Sequence, residues 1–306
     1  MSRGTARLAP SRAALRSPHA LAILAMIGWG VAYVPSAWLI DEWPPLPAAG
    51  ARLGLAGVLL LVVAAATGRR VLPGVPFWTV LWLGLTQTTI FYGATFLGIA
   101  NESAGLAAVL SNTDPLFVAA LAVIFLSEHL STRQWIGLAV GLIGAALAVS
   151  PDGIWPFEVS VVALFVLVGA LAWAVGTIVA ARSVRRSASP LALAGWQMVL
   201  GGALLFVWGG AIGEAPGGLG ADTLTLIVAL AVFGSALPLA LFYRALLKAP
   251  AGEVSAWFFL VPVVGVSLSW PLIGEQPSIT LAAGMVAVSF GLWLVLGARR
   301  PERTAP

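Results

Sequence analysis

The chain has 306 residues, 60% of them apolar and 9% charged, against roughly 25% charged in soluble domains. No soluble core buries that much apolar surface, so the bilayer is the expected solvent and lipid the expected surrounding. A net charge of +4 with no cysteine excludes disulfides and thiolate chemistry, and its basic residues sit in short loops between apolar spans, which speaks for topology and against nucleic acid.

Residues 1–18 carry Arg3, Arg7, Arg12 and Arg16 and are expected to form a cytoplasmic tail. A cleaved signal peptide is the competing reading, but the run after it is long enough to span and lacks a small-residue cleavage site. A hydrocarbon core of about 30 Å needs about 20 helical residues. Runs near that length fall at 19–40, 46–66, 77–100, 104–126, 134–150, 159–181, 191–213, 223–247, 254–273 and 279–297. The expected fold is therefore all-α, with ten transmembrane helices and a second tail at 298–306.

Charge placement supports this count. With the N-terminus inside, the inner connections and tails hold fourteen of the sixteen basic residues: the four N-terminal arginines, Arg69, Arg70, Arg133, Arg182, Arg185, Arg186, Lys248, Arg299, Arg300 and Arg303. The outer connections hold Asp41, Glu42, Glu102, Asp152, Glu158, Glu214, Asp222 and Glu275 and no Lys or Arg. That is a positive-inside pattern with both termini cytoplasmic.

An internal duplication runs through the spans. Pro115, Glu128, Gly137 and Gly144 reappear 147 residues later as Pro262, Glu275, Gly284 and Gly291, and Ala104-Gly105 returns as Ala251-Gly252. Pro45-Leu46, Ala49-Gly50 and Gly57 match Pro190-Leu191, Ala194-Gly195 and Gly202 at an offset of 145, and Trp29 matches Trp173 at 144. The expected units are a first five-helix repeat at 19–150 and a second at 151–297. An odd number of spans per repeat inverts the second copy, and inverted copies can alternate access to a site between them.

The doubled pattern of a proline, a glutamate thirteen residues on and a glycine-rich span, with Trp29-Gly30 and Arg52-Leu53-Gly54-Leu55 ahead of it, resembles the EamA family of the drug/metabolite transporter superfamily. The resemblance covers about 19–297. It implies two inverted five-helix repeats around a central cavity and, in a bacterium, an inner-membrane exporter of amino acids or related compounds. Within the family the aromatic-rich spans are most similar to YddG-type aromatic amino-acid exporters, with threonine/homoserine exporters close by. Gln197 stands where a second-half arginine would match Arg52, and Glu128 and Glu275 suit caps or turn anchors.

Arg52 and Asp114 are the charges placed deepest in spans, and each is a functional candidate. One reading has Arg52 holding a substrate carboxylate while Asp114 takes an ammonium or a proton. In the other, they satisfy each other or nearby backbone and only join helices. An uncompensated central charge costs roughly 2.5–3.5 kcal/mol on insertion scales, so partners are expected. Asn112, Thr113 and Asp114 form the most polar patch inside a span, just before Pro115, whose missing N–H frees a carbonyl one turn earlier. Pro262 repeats that kink, and matched kinks point to a shared cavity.

In the third span Gln87, Phe91 and Thr95 recur at i, i+4, with Thr88 and Tyr92 one step round. Together with Trp29, Tyr33, Trp173, Tyr243 and Trp257 they describe an aromatic-walled substrate pocket, suited to stacking and to cation–π contact. The bland reading is an interfacial aromatic belt, which suits Trp43, Trp78 and Trp155. His19 and His129 are too isolated for a metal site, and no cofactor is expected.

No Walker A sequence occurs and the only lysine is Lys248, so nothing supports ATP-driven pumping. The expected function is a secondary transporter exporting amino acids, aromatic and other neutral ones, by alternating access. Export of another small metabolite or drug is the alternative. An intramembrane enzyme would need a catalytic set inside the spans, where no histidine is central and one carboxylate is deep. A sensor or scaffold is disfavoured by the lack of a soluble domain. Oligomeric state, the resting direction of the cavity and proton coupling against facilitated diffusion stay open.

Overall fold

Apolar runs become helices here because a backbone out of water must satisfy its own hydrogen bonds. The structure, a computed structural model, describes residues 17–101, 107, 110–127, 129–149, 161–273 and 279–296. The tails, Ala104-Gly105, Glu128, Asp152, Trp155, Glu158 and Glu275 lie outside the described residues. Those described form helices, turns and loops with no strand.

In chain order the helices are α1 (Pro18–Val31), α2 (Tyr33–Glu42), α3 (Pro45–Ala66), α4 (Phe77–Leu83), α5 (Phe91–Asn101), α6 (Asp114–Leu126) and α7 (Thr132–Val149). They continue as α8 (Val161–Arg186), α9 (Pro190–Ala211), α10 (Ala221–Ala231), α11 (Leu237–Leu246), α12 (Ala251–Ser255), α13 (Leu260–Ile273) and α14 (Ile279–Leu296). Pro18, Pro45 and Pro190 open their helices, where no intrahelical N–H is required and the fixed φ suits the first turn. Among the described residues six helical stretches are long and apolar enough to cross a membrane: Pro18–Glu42, Pro45–Ala66, Phe77–Asn101, Leu164–Arg186, Pro190–Ala211 and Ala221–Leu246. Asp114–Leu126, Ala251–Gly265 and Ala282–Val295 are apolar but shorter.

Two stretches contain wide π turns, Gly84–Ile90 between α4 and α5 and Val232–Ala236 between α10 and α11. Such turns admit extra residues, shift the side-chain register and recur at functional sites. They occupy corresponding places in the two copies. The helix also breaks ahead of both matched prolines. Asn112-Thr113 form a turn before Pro115, and a 3₁₀ turn at Ala256–Phe259 precedes Pro262. The expected kinks are thus breaks, because proline clashes with the preceding turn and suits a helix start better than its interior.

Two antiparallel pairs, α3 with α9 and α7 with α14, approach backbone to backbone through glycine. A Cβ on Gly50 would stand 3.0 Å from the Gly202 carbonyl oxygen, and one on Gly57 would stand 2.6 Å from that of Gly195. In the second pair the same holds for Gly137 with Gly291 at 2.8 Å and Gly144 with Gly284 at 2.9 Å. Small residues permit this close approach without large ridges between the axes. Each contact joins a residue of one copy to the mate of its partner in the other, as a two-fold interface would.

Trp43, expected at an interfacial belt, is instead 5% exposed. Its indole N–H donates to the Gly218 carbonyl at 3.0 Å, so the ring anchors the loop before α10. Trp78 remains 74% exposed, as a belt residue would be.

Candidate substrate pocket

The centre of the bundle is a plug of aromatic rings. Trp29 on α1 meets its repeat mate Trp173 on α8 edge-on at 5.5 Å and stacks on Phe258 at 5.2 Å. Trp173 in turn packs against Phe91 at 4.7 Å and Phe242 at 6.0 Å. Edge-on and stacked rings each add roughly 0.5–1.5 kcal/mol beyond area burial, so the plug is a rigid floor. The indole N–H of Trp173 finds no partner among the described residues.

From this floor a narrow pocket extends toward the end of the bundle where α2 meets α3. The space between its side chains, open solvent at the mouth included, is about 450 Å³, and only a small part of it has room for water. Its wall combines Trp29, Tyr33, Phe91, Tyr92, Thr95 and Trp173, with Ser36, Arg52 and Asn112 as its polar side and Ile99 near the mouth.

Arg52 is the pocket's cation and is 3% exposed. Its Nε donates to Ser235 Oγ at 2.7 Å, one terminal nitrogen to Ser36 Oγ at 2.8 Å and the other to the Gly234 carbonyl at 2.7 Å. The guanidinium lies over the Tyr92 ring at 5.4 Å and the Phe96 ring at 5.7 Å, where the ring quadrupoles favour a cation. Gly234 and Ser235 belong to the second π turn, so α3 is tied to that turn through Arg52. A guanidinium has five N–H groups. These bonds use three and involve no carboxylate, so two donors and the positive charge remain for an anionic group.

Asp114 is not that anion. Its side chain is fully buried, and no hydrogen bond from another described residue reaches either carboxylate oxygen. The mutual Arg52–Asp114 neutralisation held open by the sequence is absent. Asp114 opens α6 beside the break, one residue from Thr113 and two from the pocket-lining Asn112. Across the break, the Ser111 hydroxyl gives its proton to the Ala107 carbonyl at 2.6 Å. The Tyr33 hydroxyl, 2.9 Å from Ser111 Oγ, is therefore the donor of that pair.

The i, i+4 stripe of the third span is parted by the first π turn. Phe91, Tyr92 and Thr95 line the pocket, whereas Gln87, inside the turn, points to the far side of the plug. Its amide N–H donates to Thr177 Oγ1 at 3.1 Å, and its carbonyl accepts from the Tyr243 hydroxyl at 2.9 Å. Tyr243 also bonds Gln197. One phenolic proton cannot serve two amide oxygens, so one of the two glutamines turns its NH₂ to the Tyr243 oxygen. Trp257 stands apart from the pocket, with its indole N–H on His19 Nδ1 at 3.3 Å.

Comparison with known proteins shows the family of the chain. The pattern of the EamA-like transporter family matches twice, over residues 16–150 and 160–297. The chain belongs to that family. It is similar to the uncharacterized inner membrane transporter YedA of Escherichia coli strain K12, 28% identical over 261 residues, covering 82% of this chain and 81% of YedA. It is also similar to a probable amino-acid metabolite efflux pump of Salmonella typhimurium, 26% identical over 294 residues and covering 93% and 96% of the two chains. A solved crystal structure shares the fold with a TM-score of 0.80 at 17% identity, over 93% of this chain and 98% of that one.

This EamA-like chain is thus a multi-pass membrane transporter of a small-molecule solute. Among the described residues no group of His, Cys, Asp or Glu could hold a metal. The pocket draws on residues that sequence reading passed over. Ser36, Ser235 and Phe258 carry no sequence signal of their own, being ordinary members of apolar spans. Gln197, which lies outside the pocket on the far side of the plug, had one: its place opposite Arg52 in the repeat.

Proposed function

We propose that this transporter exports amino acids, aromatic and other neutral ones, across a bacterial inner membrane by alternating access. The observation that carries the reading is Arg52, a buried guanidinium with two N–H groups to spare, set in a pocket walled by tryptophan and tyrosine. A carboxylate docked there forms charge-assisted hydrogen bonds, while an aromatic side chain stacks on the rings of the floor. An ammonium would meet the faces of the same rings. The Salmonella relative, named a probable amino-acid metabolite efflux pump, supports the substrate class.

We read the chain as ten spans in two inverted five-helix repeats with both termini cytoplasmic. Support comes from the doubled family match, the antiparallel glycine contacts between repeat mates and the side bias of the basic residues. A two-fold axis relating antiparallel helices lies across them, hence in the membrane plane, as inverted repeats require. Transport through this pocket is secondary: it relies on gradients, with Asp114 as the residue through which a proton gradient would act.

Exchange in proteoliposomes tests the substrate class. Purified protein loaded with unlabelled phenylalanine should take up labelled phenylalanine above protein-free vesicles, and tryptophan or threonine should compete. Absence of exchange for every amino acid would move the substrate to another small metabolite or drug.

A further inference from the structure

Arg52 and Gln197 hold the same place in the two copies, each seven residues after the proline that opens its helix (Pro45 and Pro190). The antiparallel crossing of α3 and α9, in which Gly50 meets Gly202 and Gly57 meets Gly195, sets them on opposite sides of the crossing point. Arg52 lies toward the end where α2 meets α3, and Gln197 toward the end where α8 meets α9. The Trp29–Trp173 plug separates them. On the Arg52 side there is a pocket. On the Gln197 side the equivalent volume is filled by side chains.

The side chains there are polar and buried. Gln87 and Thr177 are 0% exposed, and Gln197 and Tyr243 are 1% exposed. Four side chains from four separate spans are joined there by the bonds described above. Gly176 on α8 is what lets Gln87 in, since a Cβ there would stand 2.3 Å from the Gln87 Cγ. Ser36 and Ala180 are mates at the Trp29–Trp173 offset of 144. Ser36 lines the pocket, whereas Ala180 packs three residues from Thr177 beside the network; both are buried.

A transporter built from two related halves changes direction when the halves exchange conformations around a fixed site. In the exchanged state the cavity would lie on the Gln197 side, and bonds crossing that side could not survive. We infer that the Gln87–Thr177–Gln197–Tyr243 network is the closed cytoplasmic gate of the transport path, the side from which an exporter loads, and that losing the Tyr243 hydroxyl bonds releases it. The two glutamines lie on different spans, Gln87 in the first π turn and Gln197 on α9, and Tyr243 joins them from a third. At the other end Arg52 ties α3 to the second π turn while its side holds the pocket.

The inference rests on the alternating-access reading above but not on the substrate. The chain has no cysteine, so single cysteines report accessibility without further changes. Ile99→Cys probes the pocket mouth and Ala180→Cys the closed side, each labelled with N-ethylmaleimide in reconstituted protein without solute. Losing a bond made in one state alone shifts the two-state balance by about fivefold to tenfold. Tyr243→Phe should therefore speed labelling at position 180 by about that factor while slowing it at position 99. Gln197→Leu removes the same bond from its other partner and should act in the same direction. A rise at both positions would mean simple loosening and overturn the inference, as would no change at either. Loss of amino-acid exchange with this reciprocal shift intact would count against the substrate class alone.

Discussion

Gly57 and Gly195 meet where α3 and α9 cross, so close that a Cβ on Gly57 would lie 2.6 Å from the Gly195 carbonyl oxygen and 2.7 Å from the Val199 backbone nitrogen. The obstacles are backbone atoms, which cannot rotate away as a side-chain tip would. Gly57→Ala is expected to cost about 1–3 kcal/mol of stability, the usual range for forced overpacking. Gly54→Ala, where nothing lies within 4 Å of the added Cβ, is the control. Thermal unfolding in detergent should separate the two variants, and an unchanged melting temperature for Gly57→Ala would refute the close crossing.

Arg52 makes three hydrogen bonds and two ring contacts that no other side chain reproduces together. Arg52→Lys keeps the charge but loses the planar fork. Substrate affinity should fall by about 10-fold to 100-fold, the worth of a charge-assisted bond of roughly 1.5–3 kcal/mol. Tryptophan fluorescence titration with phenylalanine, which reports on Trp29 and Trp173 beside the site, measures it. Equal affinity in the lysine variant would show that the carboxylate binds elsewhere.

Asp114 has no charged partner among the described residues, and its neutral isostere should be tolerated by the fold. Asp114→Asn should retain exchange between equal solute pools. It should lose uptake driven by a pH gradient, because an amide carries no proton across. Uptake that still responds to the gradient would remove Asp114 from the coupling step.

Trp173 touches Trp29, Phe91, Tyr92, Phe242 and Phe258. Trp173→Ala would leave a hole and cost about 3–5 kcal/mol. Trp173→Phe keeps a ring and most of the packing. Competition assays should find the preference for phenylalanine and tryptophan over threonine reduced in the phenylalanine variant, with threonine exchange largely kept. An unchanged order of competitors would place the aromatic selectivity away from the plug.

The sequence by itself determined that this is a helical membrane protein with a duplicated plan, because composition and repeat spacing are one-dimensional facts. Trp29, Tyr33, Arg52, Phe91, Tyr92, Thr95, Asn112 and Trp173 were legible as polar or aromatic residues inside apolar spans, and they meet at one pocket. Three matters were decided by tertiary structure alone. The first π turn changed the register of its span and sent Gln87 to the opposite side of the plug, since an extra residue in a turn leaves no mark on a periodicity that assumes 3.6 residues. The partners of Arg52 come from residues 16 and 183 positions away, a choice made by the packing of α3 against α2 and the second π turn. Finally, which side of the Trp29–Trp173 plug holds the pocket was decided by packing, since matched positions such as Arg52 and Gln197 carry different side chains and meet different neighbours.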